Sequence, residues 1–303
     1  RYGGRVVTAN NELNALSLGG IGRETDIHHI DIMNNVDDGI EGGGGTVNLS
    51  YINIWNIGDD SLDIDQGWRG KSQFGLIVQG YSADAAQGSG VGDNAFETDG
   101  AEDSYYQPVT TGKIYNWTVI GNPVIDATLN TGDHGTAWRD NARMQYRNCI
   151  FMDLGDRVVS FDNVDGDGGD GYGATGGTPP TATLSWANTW TTNWNAAPAH
   201  PNDCTFSTTY KAQTDGKLAE IKDSVFFNND SSGAYTEATA RGVFAGGNNN
   251  VKEPANSPIK SIARGSVVSL FGGTLRVQPV ISLDPRAAND ALTSVAAAPM
   301  DGF

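Results

Sequence analysis

Thr25 to Glu41, TDIHHIDIMNNVDDGIE, and Val47 to Asp63, VNLSYINIWNIGDDSLD, are one pattern written twice. An offset of 22 residues lays Ile30 on Ile52, Ile32 on Ile54, Asn34 on Asn56, Asp37 on Asp59, Asp38 on Asp60 and Glu41 on Asp63. Apolar and polar residues alternate in HIDIM and INIWNI, which is the period of a strand and not of a helix. A repeat of roughly 20–25 residues with β-branched alternation, Gly/Asn/Asp corners and no helix is what a parallel β-helix requires. Inward residues of one coil then rest on those of the next, and Asn34 over Asn56 suggests a polar ladder at a corner. The fold class read from this stretch is all-β, a single-stranded right-handed parallel β-helix (solenoid).

Further copies extend the pattern. GDNAFETD (Gly92 to Asp99) matches GDDSLDID (Gly58 to Asp65) at an offset of 34, the loop SADAAQGSGV adding about half a coil. GDRVVSFD (Gly155 to Asp162) repeats the same corner and strand, and the strand before it sets Cys149 on Ile52 and Phe151 on Ile54. Cys149 is therefore expected in the core, which weakens a disulfide to Cys204. GKIYNWTVIGN and KLAEIKDSVFFNN read as strands of further coils. The segment 166–215 departs from the pattern and reads as a long loop insertion over one face. From Ser257 onward one or two last strands are expected, then a turn-rich tail over 284–303. Residues 1–303 are read as one β-helix domain, and because RYGGRVVTANNELNALSL is already strand material, N-terminal coils are expected to precede it.

The chain has 303 residues, 40 of them Gly and 11 Pro, and a formal charge of −17. It can bury a large core, and no apolar run is long enough to span a bilayer. The acidic balance argues against nucleic acid, which needs a basic face. It favours metal cations or a solvated secreted surface. No zinc spacing and no nucleotide or nucleophile-elbow motif appears. His28 and His29 follow the repeat, His28 over Ser50 and His29 over Tyr51, with one of the pair expected to face outward.

Equivalent residues of adjacent coils lie about 4.8 Å apart, so the alignment predicts acidic columns. These are Asp37, Asp59 and Asp93; Asp38, Asp60 and Asn94; Glu41, Asp63 and Glu97; and Asp65 over Asp99. Leu62 and Phe96 should point inward, and Asp63 and Glu97 therefore outward. Stacked carboxylates at that distance repel by roughly 1 kcal/mol in water and more at lower dielectric. A divalent cation, a carboxyl that keeps its proton, or arginines from neighbouring coils could compensate them. Clustered oxygen ligands suit Ca²⁺, and Asp37, Asp38, Asp59 and Asp60 are its candidate ligands. A protonated member would give the acid and base pair that hydrolyses glycosides, with Asp38, Asp59, Asp60 and Asp63 as candidates. Arg139 is the candidate cationic partner, and His134 and Arg157 fall near the same corner. The simplest alternative is that the aspartates end strands and accept backbone N–H groups. DNVDGDGGDGYG, with Asp162, Asp165, Asp167 and Asp170, resembles Asp/Gly calcium loops but lacks a distal bidentate Glu. Trp186, Trp190 and Trp194 recur every four residues, either pinning the insertion to the solenoid or stacking on sugars.

With these residues in view, the architecture resembles the pectate-lyase-like right-handed β-helix superfamily. NVDDGIE followed by IGDDSLDI is similar to the polygalacturonase pattern, and by that resemblance Asp38, Asp59 and Asp60 would hold the places of its catalytic aspartates. The family's G-H-G would fall near Tyr81, where this chain reads VQGYSAD, and its R-I-K segment has no counterpart. A longer likeness runs from NELNALSLGGIGRE through KSQFGLIVQ to the terminal AAPMDGF. It is similar to secreted or surface-anchored bacterial β-helix proteins of the lipoprotein type, and implies export to the extracellular space or the bacterial outer surface.

Two functions are consistent with the sequence. One is a non-catalytic extracellular scaffold, adhesin or glycan-binding module with Ca²⁺-stabilised acidic columns and polysaccharide or cell-surface glycan as partner. The other is a polysaccharide lyase or glycoside hydrolase using the Asp38/Asp59/Asp60 cluster. The incomplete polygalacturonase pattern favours the first. Self-assembly is left open.

Overall fold

The computed structural model describes residues 3, 4, 7, 13–80, 92–100, 110–124, 134–140, 142–161, 219–230, 250–270, 275–291 and 294–300. Among these residues every element is a strand. One sheet stacks β2 (Asp26–Met33), β4 (Asn48–Trp55), β6 (Lys71–Val78) and β8 (Lys113–Ile120), and continues through β10 (Gln145–Arg147) and β11 (Ile150–Met152) to β13 (Glu220–Lys222) and β14 (Val225–Phe227). The other stacks β1 (Leu16–Ser17), β3 (Ile40–Gly43), β5 (Leu62–Asp65), β7 (Asn94–Thr98), β9 (His134–Trp138) and β12 (Val159–Phe161). All neighbours in both sheets are parallel, and the chain alternates between the sheets. This is the expected parallel β-helix.

The registers follow the self-alignment. Ile32 pairs with Ile54, Ile54 with Ile77, Ile77 with Val119, Val119 with Phe151, and Phe151 with Phe226. This buried column runs the length of the described solenoid, each full side chain contributing about 1.5–3 kcal/mol of burial. Opposite it, Ile40, Leu62 and Phe96 stack in the second sheet, so Glu41, Asp63 and Glu97 do point outward. Cys149 is a buried free thiol, pushed up to about 12 by burial. Ile52 pairs with Gly75 and Gly75 with Trp117; a Cβ at Gly75 would meet the indole at 2.1 Å, so the missing side chain makes room for the tryptophan.

One feature of the first sheet breaks strict alternation. Each coil carries a residue with left-handed backbone at the same height: His29 (φ 55), Tyr51 (56), Phe74 (64), Asn116 (58), Asn148 (55), Asp223 (50) and Asn250 (53). In the long strands the paired ladder skips this residue and resumes beyond it. The kink lets two consecutive residues face out between two that face in, as Ser50 and Tyr51 do between the buried Leu49 and Ile52. Both His28 and His29 are consequently exposed, where strict alternation would expose one.

The C-terminal region is not a further coil. β15 (Ile259–Arg264) pairs antiparallel with β18 (Val280–Ala287), and β16 (Val268–Leu270) with β17 (Leu275–Val277). This ribbon covers the outer face of the first sheet at Val78, Ile120, Ile150 and Met152, and Arg264 fastens it to Asp153 at 2.9 Å. More strand forms than the one or two elements expected, and β18 enters the segment read as tail from 284, because the exposed apolar outer face gives it a surface to cover.

Candidate functional site

The Asp-Asp doublets sit in the turns that lead from the first sheet into β3 and β5, and the third copy leads into β7. Parallel register brings them together. Asp38 Oδ1 accepts the backbone N–H of Asp60 at 3.0 Å, and Asp60 Oδ1 accepts that of Asn94 at 2.7 Å. Above them Asn14 Oδ1 accepts the N–H of Asp38 at 3.3 Å. Below, Asn94 Oδ1 lies 2.9 Å from His134 Nδ1, and His134 Nε2 lies 3.2 Å from Asp156. Asp38 and Asp60 are thus rungs between coils, 8% and 5% exposed.

Beside the rungs, half-buried Asp37, Asp59 and Asp93 form the next column. Two triads can each set one carboxylate oxygen per residue within 4.8 Å of the others: Asp37, Asp38 and Asp59, and Asp59, Asp60 and Asp93. Asp59 belongs to both. The donor set is entirely hard oxygen, as Ca²⁺ takes, with room in the coordination number for water or carbonyl. The residues fit the ion by chemistry and clustering. Asp93 was placed in a column by the alignment but not among the ligands.

One step along the strands lies Glu41, Asp63, Glu97 and then Ala137. Arg139 occupies the outward place after Asp99 in the neighbouring column, ion-pairs with Glu97, and lies 3.5 Å from Asp99. It therefore serves these two acids rather than the aspartate doublets. Burial, and then the charges of neighbouring carboxylates, raise Asp38 and Asp63 well above the usual carboxylate range. Asp60 is raised too, by burial first and then by Glu97. Glu97 is held low despite its burial, by its hydrogen bond with Asp60 and by Arg139. The two carboxyls act on one another, their hydrogen bond helping to raise Asp60 and to lower Glu97. Asp63 Oδ1 is enclosed and accepts no hydrogen bond among the described residues.

Of the sequence-predicted site residues, Asp37, Asp38, Asp59, Asp60, Asp63 and Arg139 thus share one corner and its adjoining face. Glu97 is the functional group the residue reading passed over as a site member; its place under Asp63 in the offset-34 alignment was the available signal. Arg157 pairs with Asp156 instead, at 3.1 Å. Asp162, Asp165, Asp167 and Asp170, Trp186, Trp190 and Trp194, Cys204 and the whole insertion 166–215 lie outside the described residues.

Residues 1–220 match the family model of the pectate-lyase like beta helix domain. No curated protein and no solved structure matches the chain.

Proposed function

Because the chain belongs to the pectate-lyase-like β-helix family, whose members are commonly extracellular and often bind polysaccharide, we propose that it is a non-catalytic β-helix of the extracellular or bacterial outer surface. In this reading it is a scaffold, adhesin or glycan-binding module, and Ca²⁺ stabilises its acidic corner. No helix among the described residues is long and apolar enough to cross a membrane. The observation that carries the reading is the double use of the aspartates. Asp38 and Asp60, two of the three positions that resemble catalytic aspartates, spend an oxygen on the backbone N–H of the next coil. A carboxylate oxygen of each also lies in the two interlocked triads with Asp37, Asp59 and Asp93. An ion held there would neutralise charge that otherwise has to be protonated or repelled, so its uptake releases protons.

Calorimetry with Ca²⁺ on EDTA-stripped protein, run in two buffers of different ionisation enthalpy, tests this. Binding with proton release is expected, and Asp59→Asn, which removes the shared ligand, abolishes it. Absence of both binding heat and a thermal shift with the parent protein removes the calcium reading.

The second reading, glycan cleavage, draws on the Asp60–Glu97 pair. Two neighbouring carboxyls pushed in opposite directions, Asp60 up by burial and Glu97, and Glu97 down by Asp60 and Arg139, are the kind of pair that acid/base catalysis draws on. Cleavage of a neutral or uronate polysaccharide that is lost in Asp60→Asn while the variant stays folded would replace the scaffold reading with this one.

A further inference from the structure

The left-handed column of the first sheet changes character part-way along. Asn116, Asn148, Asp223 and Asn250 occupy it in the later coils, and asparagine and aspartate are the non-glycine residues that tolerate this backbone best. His29, Tyr51 and Phe74 occupy it in the first three. Histidine is also tolerated there, but for Tyr51 and Phe74 the conformation costs about 1–2 kcal/mol each. All three side chains are exposed, Tyr51 by 51% and Phe74 by 44%. Their rings stack, with centroids 4.5 Å apart from His29 to Tyr51 and 5.1 Å from Tyr51 to Phe74, both pairs tilted by 23°. Those separations and tilts are stacked geometry, and the exposed parts of the three rings form one continuous apolar ridge. Two stacking contacts of about 0.5–1.5 kcal/mol do no more than offset the strain of the two residues, leaving little net stability from the rings. Asparagine, as in the later coils, would carry less strain.

We propose that the His29–Tyr51–Phe74 ridge is a binding surface for an extended, uncharged polysaccharide lying along the solenoid axis. The step between rings is close to the length of one sugar ring in an extended chain, so successive sugars meet equivalent partners. Hydrogen-bonding side chains border the ridge in all three coils on one side and in the first two on the other. His28, Ser50 and Gln73 stand on one side; on the other Asp31 and Asn53, with Asn53 donating to Asp31 at 3.0 Å, lead to Leu76, which packs against the apolar cluster under the C-terminal ribbon. An exposed apolar ring ridge flanked by hydrogen-bonding side chains matches a sugar polymer, which presents C–H surfaces and hydroxyl edges. The net charge of −17 sets a negative field that disfavours a polyanion, which selects the uncharged class. This inference rests on the binding-module part of the proposed function and not on its cation.

The test is native affinity electrophoresis and calorimetry with hydroxyethylcellulose, xylan and glucomannan, beside polygalacturonate, in EDTA and in Ca²⁺. Retention by at least one neutral polymer is expected in both conditions, so that loss of the calcium reading leaves this outcome untouched. Tyr51→Asn and Phe74→Asn are the informative variants because they install the residue type that the later coils use and so relieve the backbone. Each is expected to weaken neutral-polymer binding by about tenfold, the scale of one lost ring contact, with the thermal midpoint unchanged or raised. Retention by none of the neutral polymers overturns the proposal, as does retention by polygalacturonate alone. Binding unaffected by both variants, or a dimer that Tyr51→Asn dissociates, also overturns it.

Discussion

In the second sheet and its corner, equivalent residues of successive coils are carboxylates; in the first sheet, over the same coils, they are aromatic rings. The stacking distance is the same, and its energetic sign is opposite. At the acidic corner each added coil adds repulsion, and the structure offsets it with backbone N–H groups on Asp38 and Asp60 and with Arg139 on Glu97 and Asp99. On the ridge each added coil adds attraction, and what must be offset is backbone strain. A solenoid amplifies whatever residue sits at a repeated position, so the outward columns carry the chemical individuality of the chain while the inward ones are nearly interchangeable.

The largest break in this contrast is expected from Arg139→Ala. It leaves Glu97 and Asp99 facing each other without their counter-charge. Because the guanidinium side chain is 29% exposed, we expect a loss of about 2–4 kcal/mol, somewhat under that of a fully buried pair, measured by urea unfolding. Ca²⁺ should act in the opposite direction. At a hundredfold excess over its dissociation constant it stabilises by about 2.7 kcal/mol, read as a rise in Tm that Asp59→Asn removes and that leaves the ridge variants unaffected.

A smaller effect belongs to pH. Asp38, Asp60 and Asp63 are raised, so the folded state holds protons that the unfolded chain has released. Their stabilisation is present at low pH and is lost as pH rises from the ordinary carboxylate range through the raised values. Glu97 has the opposite sign, contributing above the ordinary range and losing its contribution as pH falls through its lowered value. In EDTA, Tm is expected to fall as pH rises above about 4, where ordinary carboxylates titrate. Asp63→Asn should flatten that fall and raise Tm at neutral pH by roughly 2–4 °C, the scale of about 1 kcal/mol in a chain of this size. A Tm that climbs steadily across this window in EDTA would show that the raised carboxyls do not govern the corner.

The smallest effect sharpens the other side. Asn116→Phe extends the ridge by one ring at the cost of strain and of the Gln73 hydrogen bond to Asn116 at 2.7 Å. A net loss of about 1 kcal/mol is expected, together with stronger neutral-polymer binding in the same affinity gels. A variant that is less stable and binds no better would mark the ridge as structural.

Much of the acidic corner was legible because its first two coils differ by one constant offset, and the ladder pairs Ile30 with Ile52 and Glu41's neighbour Ile40 with Leu62 as the alignment demands. Two things hid the ridge. Phe74 follows Tyr51 by one residue more than Tyr51 follows His29, so the sliding alignment loses it. Its side chain also faces out only because of a left-handed residue, and the simple two-residue period has no term for that kink. The antiparallel ribbon was missed for a different reason. Strand-forming composition announces that IKSIAR and VISLDPRA are extended, but not whether they lengthen the stack or lie across it. That is decided by the apolar outer face at Val78, Ile120 and Met152.

The carboxyl rungs have a mechanical consequence. Each joins only adjacent coils, so a pull along the solenoid axis loads them in series, whereas a pull on one terminus meets a single rung at a time. Detachment from an end would then proceed as discrete peeling events, each lengthening the tether by one turn's worth of chain, with the hardest event where Arg139 bridges Glu97 and Asp99.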